Sequence, residues 1–376
     1  MTTGAQLPPE EKAFRDHMNR GLAAEERGAF GHAIESYGRA LRLRPDPLAH
    51  LYLAHALLLA GRGGDAAAVA SLGQDLSPAV LHAWRGSDPR PPIAERSRRV
   101  DRGFRAHLTA LHRASVERSE AELGEALPRV RRAIWCQTHP EPFEYAHPLQ
   151  RPWLLWLPDL PARPWFEVDE LPGARALEDQ WQVLRDEALT ALETRRDQRR
   201  PYVRAEDPAE TDFAPLHGSS RWDSLHLYRV GEPAPSSVRT ATPIIDQAAR
   251  ALQLTRLNGV PMEVFLSVLA ADTAIPPHHG LANTRLTVHL PLQLAGDCGL
   301  QVGRETRQAV PGRLLAFDDS FLHEAWNRSR EPRVHLIWRP GDPICPQRNG
   351  RHWSGPCADR DHWNRNRRLP DPESPA

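Results

Sequence analysis

The chain has 376 residues, which is long enough for two domains or for one large domain with an extension. Lys plus Arg and Asp plus Glu both number 48, so the formal charge is zero and no basic surplus favours nucleic acid or an anionic membrane as a partner. The four cysteines are too scattered for a disulfide scaffold, and we find neither a signal peptide nor an apolar run of about 20 residues, so we expect a cytoplasmic protein that binds neither nucleic acid nor membrane.

Residues 12–78 carry the spacing of a helical repeat. In RGLAAEERGAFGHAIESYGRALRLRPDP, Gly21, Tyr37 and Pro45 occupy small, aromatic and terminating positions of a tetratricopeptide repeat, and a weaker copy ends at Pro78. Small residues allow close helix packing, which is the physical basis of this pattern. We expect a tetratricopeptide-like helical module over residues 1–80, with an ordinary helical hairpin as the alternative.

Three segments of different character follow. Residues 81–150 are Arg-rich and mostly helical in pattern, which predicts a helical connector. Prolines and tryptophans crowd residues 139–174 and exclude regular helix there. Helical periodicity returns in residues 174–198.

Beyond residue 220 the sequence changes to short apolar or alternating runs bounded by turn residues, at the spacing of a sandwich or barrel. The predicted strands are DSLHLYRV, MEVFLSVLA, TRLTVHLPL, GLQVG, RLLAFD, HEAWN and RVHLIWRP. We therefore expect an α+β chain in which helices precede a β-sandwich or barrel. Residues 344–376 are expected to form a polar C-terminal tail.

Polar residues in three of these strands share predicted faces. Alternation along a strand separates Ser267 from its apolar neighbours. Thr287 and His289 share one face of their strand in the same way. Arg333 and His335 share a face of theirs. An inner face that carries Ser, His and Arg is either destabilising or functional, because unpaired buried polar groups are unfavourable.

Two histidines stand at strand ends beside turns, His278 in PPHHG and His323 in DDSFLH. Two neutral imidazoles brought together are suitable ligands for Fe(II). Arg333 follows His323 on the next strand and can present a planar fork to a carboxylate, and Ser267 can add a hydroxyl. These residue types predict a metal site beside a carboxylate site.

Two segments resemble the aspartyl/asparaginyl β-hydroxylase family of Fe(II)- and 2-oxoglutarate-dependent oxygenases, FLSVLAADTAIPPHHGLANTRLTVHLPL and GRLLAFDDSFLHEAWNRSREPRVHLIWRP. The similarity covers roughly residues 160–342. It implies a double-stranded β-helix (jelly roll, cupin-like), which we expect over residues 151–343. Longer members of the family also carry repeat-like helices in front.

The resemblance implies roles for single residues. His278 and His323 match the iron ligands and so form the catalytic centre. Arg333 with Ser267 matches the site of the distal carboxylate of 2-oxoglutarate. His289 matches a position near the other end of this cofactor.

Three further positions bear on the same site. Arg285 matches a position associated with substrate binding. Most related oxygenases carry Asp or Glu two residues after the first histidine, but here that position is Gly280, and this family is known for lacking the carboxylate. Many members carry a basic residue where this chain has Thr287, so the anchoring of 2-oxoglutarate is expected to differ in detail.

Other residues have simpler interpretations. His279 is expected to face solvent or substrate. Asp318 and Asp319 could reach an iron-bound water, although a turn role is favoured. Four tail residues lack the short spacing of a structural zinc site, namely Cys345, His352, Cys357 and His362. Three tryptophans are expected to pack against the sheet and not to form a binding platform, namely Trp153, Trp156 and Trp165.

Together these features predict a dioxygenase that uses Fe(II), 2-oxoglutarate and O2 to hydroxylate a C–H bond. The resemblance suggests the β-carbon of an aspartyl or asparaginyl residue in a peptide or protein, or of a free amino acid, and the helical module favours a polypeptide. One alternative is a non-catalytic tetratricopeptide-type adaptor with a degenerate oxygenase domain. Another is a cupin-like isomerase, which would leave Arg333 without a carboxylate. The oligomeric state stays open.

Overall fold

The computed structural model describes residues 8–85, 91–124, 126–205, 212–229, 232–233, 236–252, 254–257, 260–341, 359–360 and 362–370. The chain divides into a helical unit (residues 1–115, 138–142 and 359–376) and a sheet unit (residues 116–137 and 143–358). The domain boundaries expected at residues 80, 150 and 343 stay a prediction. In the described parts of the chain, no helix is long and apolar enough to cross a membrane.

The α-helices with defined bounds in the described residues are α1 (Pro9–Glu26), α2 (Phe30–Leu43), α3 (Pro47–Leu59), α4 (Gly63–Leu76), α5 (Pro78–Leu81), α6 (Pro91–Leu123), α7 (Pro128–Arg131), α8 (Ala174–Asp179), α9 (Trp181–Thr194), α10 (Ser236–Ala241) and α11 (Pro243–Ala251), and residues 359–360 and 362–366 are also helical. Sixteen strands lie in the same residues, and their bounds are β1 (Ile134–Trp135), β2 (Leu155–Trp156), β3 (Trp165–Phe166), β4 (Arg200–Pro201), β5 (Trp222–Arg229), β6 (Glu232–Pro233), β7 (Arg256–Leu257), β8 (Val260–Pro261), β9 (Glu263–Leu269), β10 (Thr273–His278), β11 (Thr287–Gln293), β12 (Cys298–Val302), β13 (Glu305–Gln308), β14 (Leu315–Phe317), β15 (His323–Asn327) and β16 (Arg333–Trp338). Short 3₁₀ helices cover Ala83–Arg85, Val168–Glu170, Arg196–Gln198 and Ala214–Leu216.

In the helical unit, helices α1 to α4 pack in chain order, each on the next. Gly21 lies against the ring of Tyr37, so an added Cβ would collide with that ring, at 2.8 Å from Cζ. Asp46 caps α3 by accepting a hydrogen bond from the Ala49 N–H (2.8 Å), and Pro47 begins the helix. The small and aromatic residues therefore pack as the repeat pattern predicts, whereas the tetratricopeptide identity of the repeat stays a prediction.

Part of the expected polar tail is a packed piece of the helical unit. Trp363 contacts Phe104 with a ring-centroid distance of 6.2 Å, and Leu369 packs against the same apolar core. Arg367 forms an ion pair with Asp75 at 3.0 Å. Aromatic and aliphatic side chains thus attach a segment whose composition is mostly polar. Three residues considered for zinc lie outside the described residues, namely Cys345, His352 and Cys357.

The expected helical connector over residues 81–150 is helical only as far as Arg131. Strand β1 follows, and residues 136–154 contain no helix. Four prolines in that stretch explain the difference, because each lacks an N–H donor and clashes with the preceding turn of a helix. The expectation that residues 139–174 avoid regular helix holds as far as Gly173.

The sheet unit contains two large antiparallel sheets. One has the strand order β3-β14-β11-β16-β9-β5-β4, with β6 paired to β5, and the other has the order β10-β15-β12-β13. A shared apolar cluster lies between them and includes Leu315 and Phe317 from the first sheet and Ile275, Leu300 and Ala325 from the second. Two facing antiparallel sheets with an apolar filling form a jelly roll. The predicted α+β fold, helices followed by a double-stranded β-helix, is therefore confirmed.

Strict alternation in β9, β11 and β16 divides the larger sheet into two faces. The apolar face packs against α8 to α11 through Val264, Leu266, Val288, Leu290, Val334 and Leu336. Helices α10 and α11 were not expected, since the sequence beyond residue 220 was interpreted as strands alone. Their buried Val238, Ile245 and Ala249 complete the apolar layer on this face. The other face carries the polar residues.

Candidate active site

A cavity of about 280 Å³ opens between the two sheets. Its walls come from the polar face of the larger sheet and from the strand ends that carry the two predicted metal-binding histidines. The predicted site residues that line it are Ser267, His278, Arg285, His289, His323 and Arg333. The structure thus brings all six into one cavity.

The two histidines are direct partners in the pairing of β10 with β15. The ring centroids of His278 and His323 lie 4.0 Å apart. The Nδ1 of His278 is 2.8 Å from the carbonyl oxygen of Pro276, and the Nδ1 of His323 is 2.8 Å from that of Phe321. Because a carbonyl only accepts, each Nδ1 carries the proton and each Nε2 keeps its lone pair.

The environment keeps both imidazoles neutral. Burial lowers the pKa of His278 well below its usual value, and the neighbouring His323 adds to the effect. Burial also lowers the pKa of His323, against the opposing influence of Asp319. Neutral imidazoles with free Nε2 atoms are the form that binds a metal ion, so the pair fits a divalent cation.

Position 280 has no room for a side chain that could serve as a third metal ligand. A Cβ added there would collide with the Asp319 carboxylate and would lie 2.8 Å from the Asp319 carbonyl oxygen. Asp319 is buried, and its Oδ2 accepts hydrogen bonds from Thr287 Oγ1 (2.8 Å) and from Arg339. Its Oδ1 has no partner among the residues that the structure describes. An unpaired carboxylate oxygen therefore occupies the space beside the histidine pair. Over the described ranges, no group of three His, Cys, Asp or Glu side chains is arranged to hold a metal ion.

Arg333 lines the cavity and is 1% exposed. Its Nη1 reaches the Trp326 carbonyl oxygen at 3.5 Å, while Nε and Nη2 have no partner within the described residues. Nε and Nη2 form one edge of the guanidinium, the edge that grips a carboxylate through two parallel hydrogen bonds. Burial lowers the pKa of Arg333 to about 10, so the group remains cationic at neutral pH. Ser267 lines the same cavity, and its Oγ accepts a hydrogen bond from Trp222 Nε1 (3.1 Å).

His289 lies in β11, and its Nδ1 is 3.3 Å from the Nδ1 of His335 in β16. Burial lowers the pKa of His289 well below its usual value, and the Arg333 guanidinium lowers it further. Arg285 is buried, its Nε has no partner, and its Nη1 is 3.9 Å from the Met262 sulfur. Arg285 is thus a second guanidinium without a carboxylate partner among the described residues.

Arg339 and Glu263 also line the cavity and had no predicted role. Arg339 donates from Nε to Glu263 Oε2 (2.6 Å), from Nη1 to Asp319 and Thr287 (2.9 Å to the latter), and from Nη2 to Tyr202. Burial works to raise the pKa of Glu263, but Arg339 and then His226 outweigh it and hold that pKa at about 2. The alternation of side chains along a strand could have predicted that both residues face the site. It assigns Arg339 to the face of Arg333 and Glu263 to the face of Ser267.

One expectation about neighbouring residues changes, the one for Trp153. His279 is partly buried and lines the cavity, where its side chain could meet a substrate, in keeping with the expectation. Trp153 is 60% exposed and does not pack into the sheet. Its backbone is anchored, since its N–H donates to the Gly280 carbonyl oxygen (2.9 Å) and its carbonyl oxygen accepts from Gln137 Nε2 (2.8 Å). Trp156 and Trp165 are buried as expected.

Residues 178–343 match the model of the family described as aspartyl/asparaginyl beta-hydroxylase. This segment of the chain is therefore similar to the aspartyl/asparaginyl beta-hydroxylase family. The matched segment contains both histidines of the pair, Arg333 and all other predicted site residues.

Similar proteins cover different shares of the chain. The human aspartate beta-hydroxylase domain-containing protein 2 is 30% identical over 201 residues, which are 51% of this chain and 52% of that protein. The mouse aspartyl/asparaginyl beta-hydroxylase is 27% identical over 192 residues, which are 48% of this chain and 24% of that protein. The chain thus spans about half, or less, of the length of these relatives. A solved oxidoreductase of the 2OG-Fe(II) oxygenase family from Burkholderia pseudomallei is 16% identical with a TM-score of 0.25, covering 41% of this chain and 88% of that one, which is too low to support an argument.

Proposed function

We propose that the sheet unit is an Fe(II)- and 2-oxoglutarate-dependent dioxygenase that hydroxylates a C–H bond, at the β-carbon of an aspartyl or asparaginyl residue. The observation that carries the proposal is the unpaired edge of Arg333. An unpartnered buried guanidinium is strongly unfavourable unless a ligand anion completes it. The same cavity holds two neutral imidazoles with free Nε2 atoms, so a carboxylate site and a metal site adjoin.

Each residue has a role that follows from its chemistry. His278 and His323 would hold the iron, and the unpaired Oδ1 of Asp319 can accept a hydrogen bond from a water on it. Arg333 and Ser267 would bind one carboxylate of 2-oxoglutarate, and His289 lies where it can meet the other end. When bound, iron and 2-oxoglutarate supply the oxidation, in which substrate C–H, O2 and 2-oxoglutarate become C–OH, succinate and CO2.

Arg285 supports a substrate that carries a carboxylate or a carboxamide. Its guanidinium is buried at the cavity wall, and its Nε lacks a partner. Arg339 forms ion pairs with both Glu263 and Asp319, and in the described residues neither acid forms an ion pair with Arg285. An acceptor on the substrate would satisfy this donor.

We further propose that the substrate residue is part of a peptide or protein. Leu281 lines the cavity and is 42% exposed, and the exposed Trp153 lies beside it on the backbone of Gly280. An exposed aromatic residue next to an exposed aliphatic one offers contact area for groups outside the cavity. A free amino acid would be too short to use both surfaces.

The test is anaerobic titration of the purified protein with Fe(II) and 2-oxoglutarate, followed by admission of O2 and measurement of succinate. We expect binding and O2-dependent succinate release from the wild type, and loss of succinate release in His278→Ala and His323→Ala. Arg333→Met should weaken 2-oxoglutarate binding about 100-fold, because two hydrogen bonds to a charged group are lost. The exposed Arg330→Gln is the control and should bind normally.

The main alternative is a non-catalytic adaptor, which Gly280 and Thr287 favour since both depart from the usual pattern of related oxygenases. An adaptor would neither bind 2-oxoglutarate nor release succinate in the wild type. Equal turnover in the two histidine variants would instead show that the metal site is elsewhere.

A further inference from the structure

His335 makes a contact with His289 that the proposed reaction does not require. The two rings lie on adjacent strands, with centroids 5.3 Å apart and planes at 70°. Their Nδ1 atoms approach to 3.3 Å. His289 lines the cavity, whereas His335 lies behind it and is buried.

Only one proton can occupy the gap between the two Nδ1 atoms. Burial and Arg333 hold the pKa values of both His289 and His335 well below the usual range, so both rings are neutral at physiological pH. A neutral imidazole has one N–H and one bare nitrogen. One Nδ1 must therefore donate and the other must accept.

The surroundings of His335 decide the direction. Its Nε2 is buried and has no hydrogen-bond partner in the part of the chain that the structure describes. If the Nδ1 of His335 accepted, its proton would have to sit on that Nε2, as a buried N–H without an acceptor. Orphaned buried N–H groups are rarer than acceptors that lack a donor. His335 therefore donates from Nδ1, and the proton of His289 moves to its Nε2.

Resting on the proposed function, we propose that His335 is a positioning residue that locks His289 as the Nε2–H tautomer, so that this ring donates a hydrogen bond to a ligand carboxylate. A protonated Nε2 cannot bind a metal ion. The lock thus also keeps a third cavity imidazole from competing with His278 and His323. His335 acts through His289 and does not itself line the cavity.

The test uses ¹⁵N-labelled full-length protein without metal or 2-oxoglutarate, in which two-bond ¹H–¹⁵N spectra distinguish the tautomers of each histidine. We expect His289 to be the Nε2–H tautomer in the wild type and in His335→Asn, whose amide can donate near the position of Nδ1. In His335→Leu the donor is lost, so His289 should populate the Nδ1–H tautomer. Nδ1–H on His289 in the wild type, or an unchanged tautomer in His335→Leu, would overturn the proposal.

A second measurement connects the tautomer to binding. With Zn(II) in place of iron, so that no turnover occurs, calorimetry should show about 10-fold weaker 2-oxoglutarate binding for His335→Leu and near wild-type binding for His335→Asn, as expected for one hydrogen bond to a charged group. Equal affinities in all three proteins would contradict the positioning role. If the wild type shows the Nε2–H tautomer yet binds no 2-oxoglutarate, the proposed function fails and the tautomer lock stands. Thermal unfolding of each variant verifies that it is folded, and the tautomer of His289 in the wild type carries the test if His335→Leu is not.

Discussion

At the scale of single residues, the described residues that line the cavity include three guanidinium groups and two carboxylates. Arg339 pairs with both acids, Glu263 and Asp319. Arg285 and Arg333 are left with unpaired N–H groups. Isolated buried cations are unfavourable, so the proposed carboxylate ligand would supply the negative charge that Arg333 lacks among the described residues.

Gly280→Ala should harm the site. The added Cβ would collide with the Asp319 carboxylate, and overpacking of this kind destabilises by about 1–3 kcal/mol. We expect a lower melting temperature and, since Asp319 must move, weaker metal binding. Thermal unfolding and Fe(II) titration measure both effects. Gly63→Ala is the control, because nothing lies within 4 Å of its added Cβ. Unchanged metal affinity in Gly280→Ala would show that Asp319 does not support the site.

Asp318 gives a prediction about pH. Burial raises its pKa to about 7, although the Ser320 N–H and Gln150 Nε2 both donate to its carboxylate. Between the unfolded pKa of about 4 and that value, the folded protein binds more protons than the unfolded chain, so the free energy of unfolding falls as pH rises. In Asp318→Asn the new side chain does not titrate. Its amide can donate to the Oε1 of Gln150, which has no partner among the described residues, once the new side chain has rotated.

We therefore expect the melting temperature of Asp318→Asn to shift by fewer degrees between pH 5 and pH 8 than the melting temperature of the wild type. At the higher pH the variant should be at least as stable. Thermal unfolding at several pH values measures this, with the exposed Asp272→Asn as the control. Parallel pH profiles for Asp318→Asn and the wild type would contradict the prediction.

At the scale of elements, one extended segment holds both histidine-bearing turns. The N–H of Arg151 donates to the Ser320 carbonyl oxygen, and the Leu322 N–H donates to that of Leu149. A few residues further along the chain, the backbone N–H groups of Trp153 and Leu154 donate to the carbonyl oxygens of Gly280 and Leu281, respectively. The segment around residues 149–155 therefore fixes the turn that follows His278 and the turn that precedes His323.

Trp153→Ala tests whether the exposed ring on this segment contacts substrate. Because the side chain is 60% exposed, its loss should change the melting temperature little. If a polypeptide substrate packs on it, KM should rise about 10-fold for peptides, as loss of a partly buried aromatic contact predicts, with no change for 2-oxoglutarate. Val183→Ala, another exposed apolar residue of the same unit, is the control. An unaltered peptide KM would argue against a platform role.

At the scale of the whole molecule, each unit has its own apolar core. Helices α1 to α4 and the first part of α6 form one core, to which Trp363 and Leu369 return from the far end of the chain. The sheet unit has one core against its helices and another between its sheets. A substitution in the core of one unit should therefore lower the stability of that unit.

Trp363→Ala should destabilise the helical unit. The ring is partly buried against Phe104 and His107, so we expect a loss of about 1–3 kcal/mol. Thermal unfolding should show an earlier transition, while titration should show unchanged 2-oxoglutarate affinity in the sheet unit. The exposed Asn364→Ala is the control. A melting profile equal to that of the wild type would show that the C-terminal segment adds no stability.

The sequence by itself determined that helices precede the sheets, the faces of β9, β11 and β16, and the positions of seven strands, namely β5, β9, β11, β12, β14, β15 and β16. Its evidence was local, since alternation assigns Ser267 or Arg333 to a face without reference to any other strand. The family resemblance then singled out the two histidines as a pair.

Only the tertiary structure decided which residues meet across strands. Register sets the approach of His335 to His289, of Asp319 to Gly280, and of Arg339 to Glu263, and no local pattern encodes it. It also decided that Nε and Nη2 of Arg333 have no partner among the described residues, because a buried donor is unpaired only when every neighbouring strand fails to supply an acceptor. Chemical type is a property of one position in the chain, whereas pairing and its absence depend on how distant segments pack together.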